Sequence, residues 1–166
     1  MLPALSQLMD ELLNLLRQNA RASNETLAAE LSTTPQEVAK RIADLEAAGV
    51  LLGYQAIVDP GKTAQKVIAC VEVKITPERG GGFDRLANRI ARFAEVQSCY
   101  LMSGGYDLLV VLEGNTLQDV ASFISEKLST IKGVISTATR FRLKSYKENG
   151  VALIKDAKPD RLAVAP

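Results

Sequence analysis

The chain has 166 residues, 47% of them hydrophobic and 23% charged, and its net charge of +1 divides into −4 over residues 1–60 (4 basic, 8 acidic) and +5 over the rest (16 basic, 11 acidic); this is the profile of a folded protein of one domain or, given the asymmetry, two small units. No apolar run approaches the roughly 18 residues that span a bilayer, and residues 1–10 lack the basic stretch and apolar core of a signal peptide, so the expected location is the cytoplasm. Histidine is absent, which removes imidazole bases and His-ligated metals, and Cys70 and Cys99 make neither a disulfide framework nor a metal cluster; no catalysis, metal or other cofactor is expected.

The first fifty residues read as helices. Leu5, Leu8, Leu12, Leu15 and Leu16 recur at spacings of three and four, one apolar stripe on a first helix. Ser23 is a good N-cap for a short second helix carrying Leu27, Ala28 and Leu31. Ser32 and Thr33 form a tight break. Thr34, Pro35 and Glu37 then predict a third helix with a capping box, its stripe being Val38, Ile42 and Leu45 and its end Gly49. Helix, short helix, tight turn and capped helix is the helix-turn-helix arrangement. After Gly49 the period changes. Residues 50–58 are rich in strand formers and read as a β-ribbon in the position of a wing, closed by the turn Asp59-Pro60-Gly61.

The second half alternates between strand and helix periods. Residues 67–75 predict a strand with Val67, Ala69, Val71, Val73 and Ile75 on one face. Residues 76–82 are a loop. Residues 83–93 predict a helix with Phe83, Leu86, Ile90 and Phe93 inward. Strands at 96–102 and 107–113 flank a turn at 103–106, where paired glycines permit positive φ. Residues 116–128 predict a helix and 134–143 a final strand. The order is β-α-β-β-α-β, the ferredoxin-like motif. Helices cover only one face of such a sheet, yet residues 108–112 are apolar on both faces, and Ile68 and Cys70 lie on the outer face. Sheet-to-sheet packing in a homodimer follows, with the C-terminal tail folding back over this face as the alternative. Within that tail, residues 151–154 and 161–164 read as two short strands.

These residues resemble the Lrp/AsnC family of transcription regulators. The N-terminal signature runs Leu27-Ala28, Val38, Arg41-Ile42, Leu45-Glu46, Gly49-Val50, Gly53-Tyr54, Ala56 and Asp59-Pro60. The family's Gly-x-Tyr-Asp hairpin is matched by Gly104-Gly105-Tyr106-Asp107. The resemblance covers roughly residues 8–147. It implies an α+β protein: a winged helix-turn-helix DNA-binding domain over residues 1–60, a ferredoxin-like effector-binding and dimerisation (RAM) domain over 61–147, and a tail over 148–166. It also implies homodimers that join into higher oligomers, double-stranded DNA as partner, and a small-molecule effector, usually an amino acid, held between dimers near the hairpin.

On the third helix the solvent face shows Gln36, Lys40, Ala43 and Asp44, flanked by Glu37 and Arg41. Thr34, Gln36, Lys40 and Arg41 are the DNA-binding candidates. Glutamine pairs with adenine, and lysine or arginine with guanine or phosphate. Arg41 has a second reading, an ion pair with Glu37 or Glu46 inside the domain. The sequence departs from the family at Ala43 and Asp44, where basic residues are usual, so a −4 domain is expected to bind DNA weakly or as a multivalent assembly. The effector candidates are Gly104, Gly105, Tyr106, Asp107, Thr137 and Thr139. Glycine lets a ligand carboxylate approach backbone N–H groups, Asp107 meets a ligand ammonium, and the threonines add polar contacts. Gly80-Gly81-Gly82 reads as a connector, and Arg85, Arg89 and Arg92 as a solvated basic stripe.

Two other function classes compete with the regulator. One is a small-molecule-binding or assembly module of the same fold with weak or lost DNA binding. The other is an enzyme, because some sirohaem decarboxylases share the two-part fold; there histidines and arginines serve the tetrapyrrole chemistry, and this chain has no histidine.

Overall fold

The computed structural model describes residues 3–77 and 82–153. The chain divides into two compact units after Ala56, so Ile57–Pro60 belong with the second unit.

The first unit is helical: α1 (Pro3–Gln18), α2 (Asn24–Glu30) and α3 (Pro35–Ala47). Ser23 caps α2 by accepting from the Thr26 N–H at 3.2 Å. The break after α2 turns on Ser32 at φ 51°, with the Thr33 N–H returning to the Ala28 carbonyl at 2.9 Å. Thr34 caps α3 by accepting from the Glu37 N–H at 3.3 Å. The predicted capping box is only half formed, because the Glu37 carboxylate turns along the helix to Arg41 instead of back to Thr34. Leu12, Leu16, Leu27, Ala28, Leu31, Val38 and Leu45 make the core, with Ile42 and Leu51 against it. Leu5 and Leu8 lie outside the described side chains.

The wing is a correction. Residues 50–58 form no strand among the described residues. A β-ribbon needs a partner for its N–H and C=O groups, and these residues have no ladder partner among the described ones. The segment leaves Val50, Leu52, Tyr54, Ile57 and Val58 exposed, Leu52 at 90%.

The second unit begins with a 3-10 turn at Pro60–Lys62, capped by Asp59. It continues through β1 (Val67–Ile75), α4 (Asp84–Ile90), β2 (Val96–Leu101), β3 (Leu108–Gly114), α5 (Leu117–Ser122) and β4 (Val134–Phe141). The sheet is antiparallel in the order β2-β3-β1-β4, as the β-α-β-β-α-β pattern requires. Ala69, Val71, Val73 and Ile75 alternate into the core with Leu108, Val110 and Leu112, and Leu86, Ile90, Val120, Phe123 and Leu128 cover them from the helices. The predicted 116–128 helix is not uniform. After α5 it widens into a π-helical stretch, Phe123–Leu128, which ends with the Ser129 N–H on the Ile124 carbonyl five residues back. Its start carries the capping box that α3 lacks, Thr116 and Asp119 each bonding the other's backbone.

The tail differs from expectation. Lys147–Glu148 (β5) pairs with Val151–Ala152 (β6) in a separate two-stranded sheet. Asn149 and Gly150, at φ 44° and 88°, make the turn, and Asn-Gly is a strong hairpin signal because both positions tolerate positive φ. Residues 161–164 and Gly80-Gly81 lie outside the described residues. No helix among the described residues is long and apolar enough to cross a membrane.

Candidate functional site

In the first unit the outward face of α3 follows from burial of its stripe. With Val38 and Leu45 in the core, Gln36, Ala39, Lys40, Ala43 and Asp44 are exposed. Thr34 is exposed too, but its hydroxyl is committed to the Glu37 N–H. Arg41 takes its internal reading. Its Nε lies 2.9 Å from Glu37 Oε1, its side chain is 17% exposed, and its Nη1 is buried without a partner. Glu46 is likewise engaged, accepting from the Tyr54 hydroxyl at 3.1 Å. The slight loss of solvent around its hydroxyl, and then Glu46 itself, push the Tyr54 phenol above its usual range. The DNA candidates therefore separate: Gln36 and Lys40 project freely, Thr34 fixes the helix start, and Arg41 ties the helix to itself.

In the second unit the hairpin between β2 and β3 is closed at its base by the Met102 N–H on the Asp107 carbonyl, 2.8 Å, and is tied to β1 by the Asp107 N–H on the Val73 carbonyl, 3.0 Å. Asp107 Oδ2 accepts from the Ile75 N–H at 2.8 Å. Gly104 and Gly105 stand exposed at the tip, and Gly104 alone of the two has positive φ, +133°. Gly104, Gly105, Tyr106 and Asp107 are thus brought together. Thr137 and Thr139 are not beside them. They pair with Val73 and Val71 on the far edge of β1, on the helix-covered face, and Thr137 Oγ1 lies 3.3 Å from Ser129 Oγ.

The opposite face of the sheet carries Ile68, Cys70, Leu109, Val111 and Tyr100, placed together by the registers of β1, β3 and β2. Glu72 and Arg140 form an ion pair across it. Glu72 raises the Arg140 pKa further, with a smaller contribution from Tyr106. Sequence reading missed this pair because its members lie 68 residues apart and meet only through the β1–β4 register. It also missed an open groove lined by Asp59, Lys66, Val67, Arg142, Leu143 and Lys144. Its cations are internally matched: Lys66 to Asn115 at 2.6 Å, Arg142 to Glu148 at 3.1 Å, and Lys144 over the Tyr146 ring.

Comparison with known proteins gives these two units names. Residues 10–46 match the AsnC-type helix-turn-helix domain, and residues 68–152 match the Lrp/AsnC ligand binding domain. An uncharacterized HTH-type transcriptional regulator of Bacillus subtilis, YugG, is 46% identical over 158 residues, covering 94% of this chain and 95% of the relative. The leucine-responsive regulatory protein of Haemophilus influenzae is 25% identical over 152 residues, covering 92% of each. In three dimensions, a transcriptional regulator of Neisseria meningitidis solved as its L-Met complex superposes with TM-score 0.69 at 24% identity, over 87% of this chain and 93% of that one. Both domain families match in order along one polypeptide, and the chain belongs to the Lrp/AsnC family.

Proposed function

We propose that the protein is a sequence-specific DNA-binding transcriptional regulator, not a catalyst, whose assembly or DNA affinity responds to an amino acid. The observation that carries this reading is the division of labour on α3. Its apolar stripe is buried, its Arg41–Glu37 pair is internal, and Gln36 and Lys40 are exposed with no partner among the described residues. A helix so arranged in a helix-turn-helix is the element that enters the major groove.

The effector contact in this reading is the hairpin of Gly104, Gly105, Tyr106 and Asp107 at a subunit contact; Thr137 and Thr139, which lie on β4 beyond β1 and face the helices, are not part of it. An amino acid needs donors for its carboxylate and an acceptor for its ammonium, and exposed glycine N–H groups beside Asp107 supply both. The leucine-responsive and L-Met-bound relatives point to the same ligand class. A homodimer presents two reading helices, which offsets the acidity of each first unit by multivalency. A DNA partner places the protein in the compartment that holds the chromosome, the cytoplasm in a cell without a nucleus.

The test is recovery of bound fragments from the source genome by the purified protein, with and without the twenty amino acids. A discrete set of sites, altered by at least one amino acid, is expected. Uniform recovery in both conditions sinks the regulator and leaves the assembly module.

A further inference from the structure

We propose that Asp44 reads a cytosine, accepting a hydrogen bond from the N4 amino group in the major groove, in line with Gln36 and Lys40. This rests on the reading above that α3 enters DNA.

Three acidic residues lie on α3. Glu37 is held by Arg41 and Glu46 by the Tyr54 hydroxyl. Asp44 alone is exposed with no ion pair or side-chain hydrogen bond among the described residues. A free carboxylate facing a phosphate backbone is repelled. In the major groove only cytosine N4 and adenine N6 donate, and adenine N6 stands beside the N7 acceptor, which repels a carboxylate, so the cytosine N4–H donor is the better partner.

Spacing favours the second placement. Gln36, Lys40 and Asp44 stand four residues apart, so they form one row along the helix with a rise of about 6 Å per step. From Gln36 to Asp44 the row covers about 12 Å, three to four base steps at 3.4 Å along a strand. Glutamine, lysine and aspartate are the side chains that select adenine, guanine and cytosine. Reach is the objection, since aspartate is short. The exposed neighbours of the row are Ala39, Ala43 and Ala47. None holds the backbone away from the groove, and an alanine methyl also suits the thymine methyl. Ala43 and Asp44 thus become one device: a slim helix face that brings a short acceptor to a base edge.

The experiment is selection from a random-sequence duplex library at fixed salt, using the full chain as wild type, Asp44→Asn, Asp44→Ala and Gln36→Ala. The wild type is expected to enrich a half-site with one fixed cytosine. Asp44→Asn should move that position to adenine, and Asp44→Ala should leave it degenerate, a loss of about tenfold or more in discrimination there. Neither change should alter the position governed by Gln36, which Gln36→Ala alone relaxes. If both Asp44 variants recover the wild-type motif with affinity merely raised, Asp44 faces phosphate and the inference is overturned while DNA reading stands. If the wild type enriches no motif, the DNA-reading function fails and this inference with it. Unchanged melting temperature in Asp44→Asn confirms that the comparison is between folded proteins.

Discussion

Asp107 Oδ2 sits 2.8 Å from the backbone nitrogen of Ile75 and accepts its hydrogen. The bond ties the β2–β3 hairpin to the end of β1, beside the point where the β1–β4 register shifts between Lys74 and Ile75. The side chain therefore has a structural task as well as the proposed one, and two substitutions separate them. Asp107→Asn keeps an acceptor for the Ile75 N–H and removes the charge. It should leave the fold intact and weaken amino-acid binding by about ten- to a hundredfold, the worth of a charge-assisted bond of roughly 1.5–3 kcal/mol. Asp107→Ala also leaves the Ile75 N–H without its partner and should cost about 1–3 kcal/mol of stability. Calorimetry against the twenty amino acids and thermal melts of both variants decide. Equal ligand affinity in wild type and Asp107→Asn would confine Asp107 to the hairpin.

The break between α2 and α3 asks a non-glycine residue to hold φ 51°. Left-handed backbone costs an L-residue about 1–2 kcal/mol, and glycine adopts it freely. Ser32→Gly should raise the stability of the first unit, by less than that figure because glycine also loses more freedom on folding. A melt showing no gain or a loss would mean that the serine side chain supplies something this turn needs.

Gly114 ends β3 against α5. A Cβ there would lie 2.7 Å from Val120 Cγ2, closer than packed carbons approach, so Gly114→Ala should destabilise the second unit by about 1–3 kcal/mol. Thr116→Ala removes the cap of the same helix and should cost about 1 kcal/mol. The two share α5, so the double variant should depart from additivity. Denaturant melts of the three proteins measure this, and a neutral Gly114→Ala would show that the α5 start shifts freely.

Where periodicity was strong and the partner local, the sequence was readable. Leu27, Val38 and Leu45 announce the core of the first unit, and the alternation from Ala69 to Ile75 announces β1, because burial alone explains both patterns. What failed to show has one of two physical causes. Residues 50–58 have the composition of a strand, but strand propensity says nothing of a partner, and no described residue supplies one. Side-chain partnerships across the fold were equally hidden: Asp107 with the Ile75 N–H, and Glu72 with Arg140, depend on registers that no local pattern encodes. Arg41 was open between phosphate and an internal carboxylate, and the fold places it against Glu37. The Asn149-Gly150 turn, by contrast, was available in the dipeptide itself.

Lys40 and Arg41 are adjacent cations with different expected effects. Lys40 is exposed on the reading face, so Lys40→Ala should weaken DNA binding and, where it meets phosphate, lower the salt slope by about 1, leaving stability unchanged. Arg41 is 17% exposed and paired with Glu37. Arg41→Ala removes that internal pair and should lower the melting temperature, with DNA affinity recovering where the domain stays folded. Salt titrations of binding beside melts test the division. An undiminished salt slope in Lys40→Ala combined with a reduced one in Arg41→Ala would reverse the assignment.

The uncovered face of the sheet gives the last prediction. Leu109 and Val111 of β3 and Cys70 of β1 are only partly buried there, and Tyr100 of β2 is exposed. Of the charges on this face, Glu72 is paired with Arg140 and Glu113 with Lys66, and these neutral pairs do not oppose face-to-face packing. A second copy is the occupant that suits a self-complementary patch, because a two-fold axis presents the same residues on both sides. Leu109→Lys would then place a cation in the interface twice. Losing one buried leucine is worth about 1.5–3 kcal/mol, and doubling it by symmetry weakens association by roughly 10²- to 10⁴-fold. Light scattering should show the wild type as at least a dimer at micromolar concentration and Leu109→Lys as a folded monomer. A monomeric wild type, or a Leu109→Lys variant that stays dimeric, would show that this face is not where copies meet.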